Sequence, residues 1–458
     1  MKRVGVAAGL VACAWVGSAR AQVAAPAPET LAIGDWRLAP VLEVRTRGEY
    51  WHDLDGQDKG TLTERVRLGV DVERGPVEGR VVFQDTRLWD LGMPTDTVTG
   101  PTPLAMTGVY EAWGEAHTAG AHPSFVRIGR QAITWGEGRL LGTSDWSPTG
   151  RSLDALRGRL VTGNWRFELL GAVLEDPWAP LAAASATNVY GVSPAYGELF
   201  GARAEWAFDP LFAVDAYGLA RLAQSNPFAD LNQSVKGQTY TGALRLHGEN
   251  RAWTWGVEGA YQLGHADTIG RPAASTLSPT YAADRGAWAA AGHVAYAFEH
   301  VALSPTVRLG GSYASGDDGG STYRAFDPLL PDVHTWYGAM DLFTWSNEIE
   351  GSARVAITPF TDAEAAVEYR YARLAQPGGA WTTGYLDQLT AVPGNNRADL
   401  GHEIDARLAW SPWVPVELMA GYSMLVLGEG AKAVLEYSGA QPPSLSHFAY
   451  LQAVLRVP

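Results

Sequence analysis

The sequence predicts an all-β chain that folds as a transmembrane antiparallel β-barrel of about eighteen strands, porin-like in its architecture. Three observations lead there. Apolar and polar residues alternate with period two, in runs of about ten to fourteen residues, along almost the whole chain. The connections between these runs alternate between tight turns and long polar segments. Aromatic residues are dominated by 18 Trp and 18 Tyr against 12 Phe, and several sit at run ends, as at Trp36, Tyr50, Trp51, Trp89 and Trp410.

The chain opens with Lys2 and Arg3, an apolar run from Val4 to Val16, and Ala19-Arg20-Ala21. This reads as a secretory signal peptide over residues 1–21. Leu10-Val11-Ala12-Cys13 also resembles a lipoprotein lipobox, although the later cleavage site fits the full apolar run better. Either reading takes the chain out of the cytoplasm. Cys13 is the only cysteine, so the mature chain would hold no disulfide and no thiolate metal site. Residues 22–35 are rich in Ala and Pro and read as a periplasmic tail, with the barrel over 36–458.

The first strand is read over 37–50, where Glu43, Arg45, Arg47 and Glu49 share one face. In the second, 61–73, Leu62, Val66, Leu68, Val70 and Val72 oppose Thr63, Arg65, Arg67, Asp71 and Glu73. Arg74-Gly75-Pro76 then turns the chain into 77–89, followed by strands at 104–117 and 123–133. Strands at 151–161 and 164–174 come next, then 196–208 and 211–223 joined at Asp209-Pro210. Glu249-Asn250 joins 237–248 to 251–263, where Trp253, Trp255, Val257, Tyr261 and Leu263 oppose Thr254, Glu258 and Gln262. Runs at 284–298 and 301–314 precede 345–357, in which Ile349, Ala353, Val355 and Ile357 oppose Glu348, Glu350, Ser352 and Arg354. The strand at 362–374 carries Glu364, Glu368 and Arg370 on one face. In 398–410, Ala398, Leu400, Ile404, Ala406, Leu408 and Trp410 form the apolar face and Asp399, Glu403, Asp405 and Arg407 the polar one. Strands at 415–427 and 446–457 complete the set, and the last ends in Leu455-Arg456-Val457-Pro458 without a terminal Phe or Trp.

A sheet face this charged needs water or ionic partners behind it, which a solvated lumen supplies while lipid covers the apolar face. The long connections, 90–103, 134–150, 175–195, 224–236, 264–283, 315–344 and 375–397, would face outside and both termini the periplasm. A secreted β-helix or sandwich would also alternate, but its turns would not sort by side. No run of eighteen uncharged apolar residues follows the leader, which excludes helical spanning.

The chain has 35 basic and 49 acidic residues, and losing Lys2, Arg3 and Arg20 with the leader leaves a formal charge of −17. That balance argues against a nucleic-acid partner. The mixed charges of the polar faces, among them Arg45, Arg47 and Arg370, read either as cross-strand salt bridges or as a selective constriction. The densest basic stretch runs from Arg127 to Arg159 and holds Arg127, Arg130, Arg139, Arg151, Arg157 and Arg159 against Glu137, Asp145 and Asp154. Guanidinium groups bind carboxylates bidentately, so this stretch favours an anionic solute. Gly136, Gly138 and Gly142 would let its connecting loop turn sharply and fold inward, the alternative being a solvated external loop. An enzyme reading would rest on Asp317 and Asp318, or on His334 near Asp332, but their spacing fits no catalytic or metal motif. No cofactor is expected, and passage would be passive.

One set of residues resembles a known family. It comprises Gly129-Arg130-Gln131, Trp135-Gly136-Glu137-Gly138-Arg139-Leu140-Leu141-Gly142, Asp145-Trp146 and Gly150-Arg151-Ser152-Leu153-Asp154-Ala155-Leu156-Arg157. Downstream come Ser315-Gly316-Asp317, Thr322, Phe326-Asp327-Pro328-Leu329, Asp341-Leu342-Phe343, Asn347, and Asp399-Leu400-Gly401-His402-Glu403-Ile404-Asp405. The pattern is similar to the alginate export family of outer-membrane barrels. The resemblance implies eighteen strands, an arginine-lined lumen with Arg130, Arg151 and Arg157 as its basic patch and Asp154 orienting them, and an acidic polysaccharide such as alginate as cargo. The alternative is a diffusion porin for small carboxylates. Its expected surroundings are lipid and lipopolysaccharide of a Gram-negative outer membrane, with the outer-membrane assembly machinery inserting it. An export role would add periplasmic export partners.

Overall fold

Hydrocarbon offers no partner to a backbone N–H or C=O, so a sheet that crosses it has to close on itself. The computed structural model describes residues 30–90, 105–120, 122–174, 196–225, 237–269, 281–332, 334–384, 388–389 and 391–457. The chain forms a short arm, β1 (Leu31–Ile33), then β2 (Trp36–His52), β3 (Asp58–Arg74), β4 (Val77–Asp90), β5 (Ala105–His117), β6 (Phe125–Gln131), β7 (Leu153–Thr162) and β8 (Trp165–Val173). It continues through β9 (Tyr196–Asp209), β10 (Phe212–Ser225), β11 (Gly237–Glu249), β12 (Trp253–Ile269), β13 (Tyr281–Ala297), β14 (Thr306–Ala314), β15 (Glu348–Ile357) and β16 (Ala363–Leu374). A two-residue ladder, β17 (Trp381–Thr382) with β18 (Gln388–Leu389), lies in a loop before β19 (Asp399–Trp413), β20 (Val416–Leu427), the helix α1 (Glu429–Tyr437) and β21 (Leu445–Val457).

Each long strand pairs antiparallel with the next, and β21 returns to β2 with Leu42 opposite Val457 and His52 opposite His447. Eighteen strands therefore form one closed wall. All eighteen strands expected from the sequence are present, with ends shifted by a few residues; the fifth of them, β6, stops at Gln131, not 133. The expected leader and residues 22–29 of the expected tail lie outside the described residues, as do most or all of the connections at 90–103, 175–195, 224–236 and 264–283.

The alternation sorts the two faces. Along β3, Thr61, Thr63, Arg65 and Arg67 are buried inside, while Leu68 is 61% exposed on the outer surface, which is the face that meets lipid. Phe83, Ile128, Leu156, Leu169 and Leu451 extend that outer band. Near the short turns it ends in cross-strand aromatic pairs, with Trp165 stacked on Trp206 at 5.7 Å and Trp253 against Tyr296 at 4.7 Å. Near the long loops Tyr–His pairs mark the rim, Tyr369 with His402 at 2.8 Å and Tyr422 with His447 at 2.6 Å.

β19 departs from its expected pattern at one point. A register shift falls between Ala372 and Arg373 of its partner strand, and Gly401 takes a φ of +130° beside it. Leu400 is consequently turned inward and buried in the apolar cluster that also holds Val434 and Leu435 of α1. Beyond the shift the expected faces return, with Glu403 buried inside and Leu408 outside.

Three loops turn inward, the first as its glycines allow and the other two against the outward placement expected of them. The connections at 132–152, 315–347 and 375–398 fold into the barrel, not away from it. Trp135, Phe326, Tyr337, Phe343, Trp345 and Trp381 from these three segments are all at most 1% exposed and build an apolar core inside the wall. Burial of that much aromatic surface is a strong drive for the loops to enter.

The outer band makes a direct prediction. Leu169→Arg, at a position 67% exposed on the lipid-facing surface, should cost about 2 to 4 kcal/mol of stability if it sits at bilayer mid-depth. Urea titration of protein folded into vesicles measures it, and an unchanged midpoint would place Leu169 away from lipid.

Candidate functional site in the loop-filled lumen

The first inward loop leaves β6 and turns back within a few residues. Trp135 and Leu141 form an antiparallel bridge, the Trp135 N–H donating to the Leu141 carbonyl at 3.0 Å. Gly136 and Gly138 take φ values of +58° and +77° at the bend, conformations that a side chain would strain. The bend reaches across to the far wall. There the Trp135 indole N–H donates to Glu168, and Glu137 meets Arg245 at 3.2 Å and Arg139 at 3.3 Å.

The second inward loop locks onto the first. Leu141 and Leu330 form a parallel bridge, the Trp336 indole N–H donates to the Glu137 carbonyl at 2.8 Å, and Arg139 donates to the Tyr337 hydroxyl at 3.0 Å. Arg151 donates to the carbonyls of Gly142, Leu330 and Pro331 at 2.9, 2.7 and 2.9 Å. One guanidinium thus joins the two loops.

The returning arm, 143–151, lies on an arginine ladder of β2 and β3. Arg45 donates to the carbonyls of Asp145 and Ser147 at 2.6 and 2.7 Å, and Arg47 to that of Trp146 at 2.9 Å. Arg65 and Arg67 reach the Asp145 carboxylate at 3.1 and 2.8 Å. Burial alone would raise the Asp145 carboxyl, but Arg65, Arg67 and Arg45 together hold it well below the usual carboxylate range. Trp146 is sandwiched, with Arg47 3.9 Å from its ring centre and His334 stacked at 3.6 Å.

The opposite wall, β14 to β16 with β19, is acidic with embedded arginines. Arg370 donates to Glu350 and, at 2.8 Å, to Glu368, which also accepts from Arg308 at 2.9 Å. The Met340 N–H donates to Glu403 at 3.1 Å, and Gly338 faces the same carboxylate so closely that a Cβ would lie 2.5 Å from its Oε2.

The arginines singled out from sequence therefore do not form one patch. Arg45, Arg47, Arg139 and Arg151 hold loops, and Arg370 is buried among acids. Arg127 and Arg157 do line the lumen, paired with Glu115 at 2.7 Å and Glu168 at 2.8 Å. Arg130 and Asp154 do not: they share strand parity with the outward Val126, Ile128, Leu156 and Leu160, and pair with each other at 2.6 Å on the outer surface. Alternation dictates this, because adjacent residues of a strand cannot both face inward. His334, considered as a catalytic group, bonds Asp341 at 3.1 Å inside the loop core, and Asp318 meets Arg324 at 3.5 Å.

Residues outside that choice border a pocket on the inner face of the wall. A cavity of about 210 Å³ near the short turns is lined by His122, Arg159, Arg166, Glu168, Arg203 and Glu205, among others. Arg159 and Arg166 keep 32% and 37% of their side chains exposed, unlike the loop-holding arginines. Both occupy inward positions of β7 and β8, which strand parity alone could have identified.

Comparison with known proteins gives two results. A family described as "Alginate export" matches residues 39–437. No curated protein sequence matches. Among solved structures, Acinetobacter baumannii OccAB1 is similar at TM-score 0.58 and 10% identity, over 92% of this chain and 97% of that one. Pseudomonas aeruginosa OprD is similar at TM-score 0.52 and 11% identity, over 94% and 96%. Pseudomonas aeruginosa OccK2 (OpdF), in complex with glucuronate, is similar at TM-score 0.54 and 11% identity, over 92% and 97%. At these identities the likeness is one of fold.

Two predictions follow from the clamp. Asp145→Asn leaves Arg65 and Arg67 without the carboxylate they share, a loss of about 3 to 5 kcal/mol for a broken buried pair; trypsin should then cut at Arg151 faster than in the parent, and equal cutting rates would rule the clamp out. Burial also pushes the Asp332 carboxyl up to about 6, Arg151 only partly opposing it. A raised carboxyl stabilises the folded loop below its ordinary value of 3.8 and loses that contribution as pH rises through 6. Protease protection of the loop should fall across that interval, and fall less in Asp332→Asn.

Proposed function

The chain belongs to the alginate export family of outer-membrane barrels, and from that premise we propose that it conducts small anionic solutes, carboxylates above all, passively across the outer membrane. It is a porin-like channel and not an enzyme. The observation that carries the solute reading is the interior itself. Three loops pack an apolar core within the wall and leave, at the short-turn mouth, a cavity of about 210 Å³ bordered by Arg159, Arg166 and Arg203. A space of that size suits a sugar acid or a short carboxylate better than a continuous polymer.

The electrostatics point the same way. Arg157 and Arg159 share the single carboxylate of Glu168, and Arg166 shares that of Glu205 with Arg203, which Asp215 also holds through two bonds, so four guanidinium groups face three carboxylates. Shared acceptors leave guanidinium donors to spare for a passing carboxylate. The glucuronate complex of the similarly folded OccK2 supports the same solute class. Export of an acidic polymer is the second reading, favoured by the family description, and it would require the loop core to move aside. Outer-membrane lipid and lipopolysaccharide cover the outer band in either case.

The test is a reversal potential in planar bilayers. The parent should prefer anions, the double variant Arg159→Glu with Arg166→Glu should lose that preference several-fold, and glucuronate should block current. An unchanged reversal potential in the double variant would remove these arginines from the conduction path. Block by uronate oligomers without block by the monomer would favour the polymer reading.

A further inference from the structure

We propose that Glu78, Glu115 and His117 form a binding site for a divalent transition-metal ion at the short-turn mouth of the lumen. The register makes the case first. Glu73 of β3 lies opposite Glu78 of β4, Glu78 opposite Glu115 of β5, and Glu115 opposite Arg127 of β6. Three carboxylates thus stand in one row across adjacent strands. Like charges directly opposite one another destabilise a sheet. The ends of the row are compensated, Glu73 by Arg37 at 3.9 Å and Glu115 by Arg127 at 2.7 Å. Glu78, in the middle, pairs with no arginine or lysine among the described residues.

His117 supplies the donor that makes this a metal site and not merely an acidic row. It follows Glu115 by two residues on the same face of β5, and its Nδ1 lies 3.5 Å from Glu115 Oε1. One ligand atom from each of Glu78, Glu115 and His117 falls within 4.8 Å of the other two. Small side-chain shifts would bring all three onto one cation. The backbone there is fixed, with the His117 N–H donating to the Pro76 carbonyl at 2.8 Å and the Thr118 N–H to that of Ser124 at 2.9 Å.

The donor set selects the ion. Calcium and magnesium take oxygen ligands, calcium six to eight of them, whereas one imidazole with two carboxylates matches zinc, which accepts three protein ligands and keeps a position for water. The side chain of His117 is 18% exposed, so solvent reaches the site from the mouth. Arg127 is the competitor. Its guanidinium sits 3.6 Å from the Trp113 ring centre while donating to Glu115, which fixes one oxygen of that carboxylate and leaves the other to the ion.

Calorimetry on the full detergent-solubilised chain tests the site, with ZnCl2 and MgCl2 as separate titrants, and it reads binding independently of conduction. One Zn²⁺ should bind per chain, and Glu78→Gln and His117→Ala should each weaken it roughly tenfold or more, while Mg²⁺ gives no comparable isotherm. Heat-shifted electrophoretic mobility identifies which variants retain the closed barrel, and either one that does is sufficient. Zinc affinity unchanged in a folded variant, or magnesium binding as tightly as zinc, would overturn the proposal.

Discussion

Closure of the sheet is the constraint on which everything else rests. Once β21 must pair with β2 to leave no bare edge in lipid, the register of every strand between them is fixed around the ring. Register then fixes parity, and parity decides which side chains leave water. Arg45, Arg47, Arg65 and Arg67 have no choice but to point inward, into a space too confined to hydrate four adjacent guanidinium groups well. Their charge has to be met from within.

The loop at 143–151 meets it mostly with neutral oxygens. Backbone carbonyls of Asp145, Trp146 and Ser147 accept from the ladder, and the single Asp145 carboxylate bridges Arg65 and Arg67. An ion pair drawn from water gains little by itself, because desolvation offsets the attraction unless every remaining donor is also satisfied. Here the carbonyls supply that satisfaction together with Glu43, 2.5 Å from Arg65, and Glu49, 2.6 Å from Arg47. The cost falls on the passage, since arginines used to hold a loop cannot also hold a solute. On the proposed reading, selectivity would then fall to the partly exposed Arg159 and Arg166 near the short turns.

How much of this was legible in the sequence follows from the range of the interactions. Strands are local patterns, so the alternation of Leu62 to Glu73 or Glu348 to Ile357 could be read directly, and with it the inward face carrying Arg45 and Arg47. The family resemblance places Arg130 and Asp154 in the lumen, whereas the parity of Val126 and Ile128 sets Arg130 among the outward residues. The loop contacts were beyond reach for another reason: Arg65 meets Asp145 across 80 residues and Arg151 meets Leu330 across 179, with no period linking them. The inward turn of Leu400 likewise depends on a bulge at Gly401 and on a helix packed behind it, neither of which alternation encodes.

The short-turn mouth has two unlike sides. β3 to β5 present the row Glu73, Glu78 and Glu115, while β7 to β9 present Arg159, Arg166 and Arg203, and Arg127 on β6 stands at the border. On the proposed reading, a carboxylate arriving there would be repelled from one side and drawn to the other, which would confine its route to an arc of the wall. Field confined in a low-dielectric surround acts more strongly than the same charges spread around the ring. An ion held by Glu78, Glu115 and His117 would erase the repulsion without touching the arginines. The width of the attractive arc would then depend on metal, whereas its depth is set by how many guanidinium donors Glu168 and Glu205 leave unsatisfied.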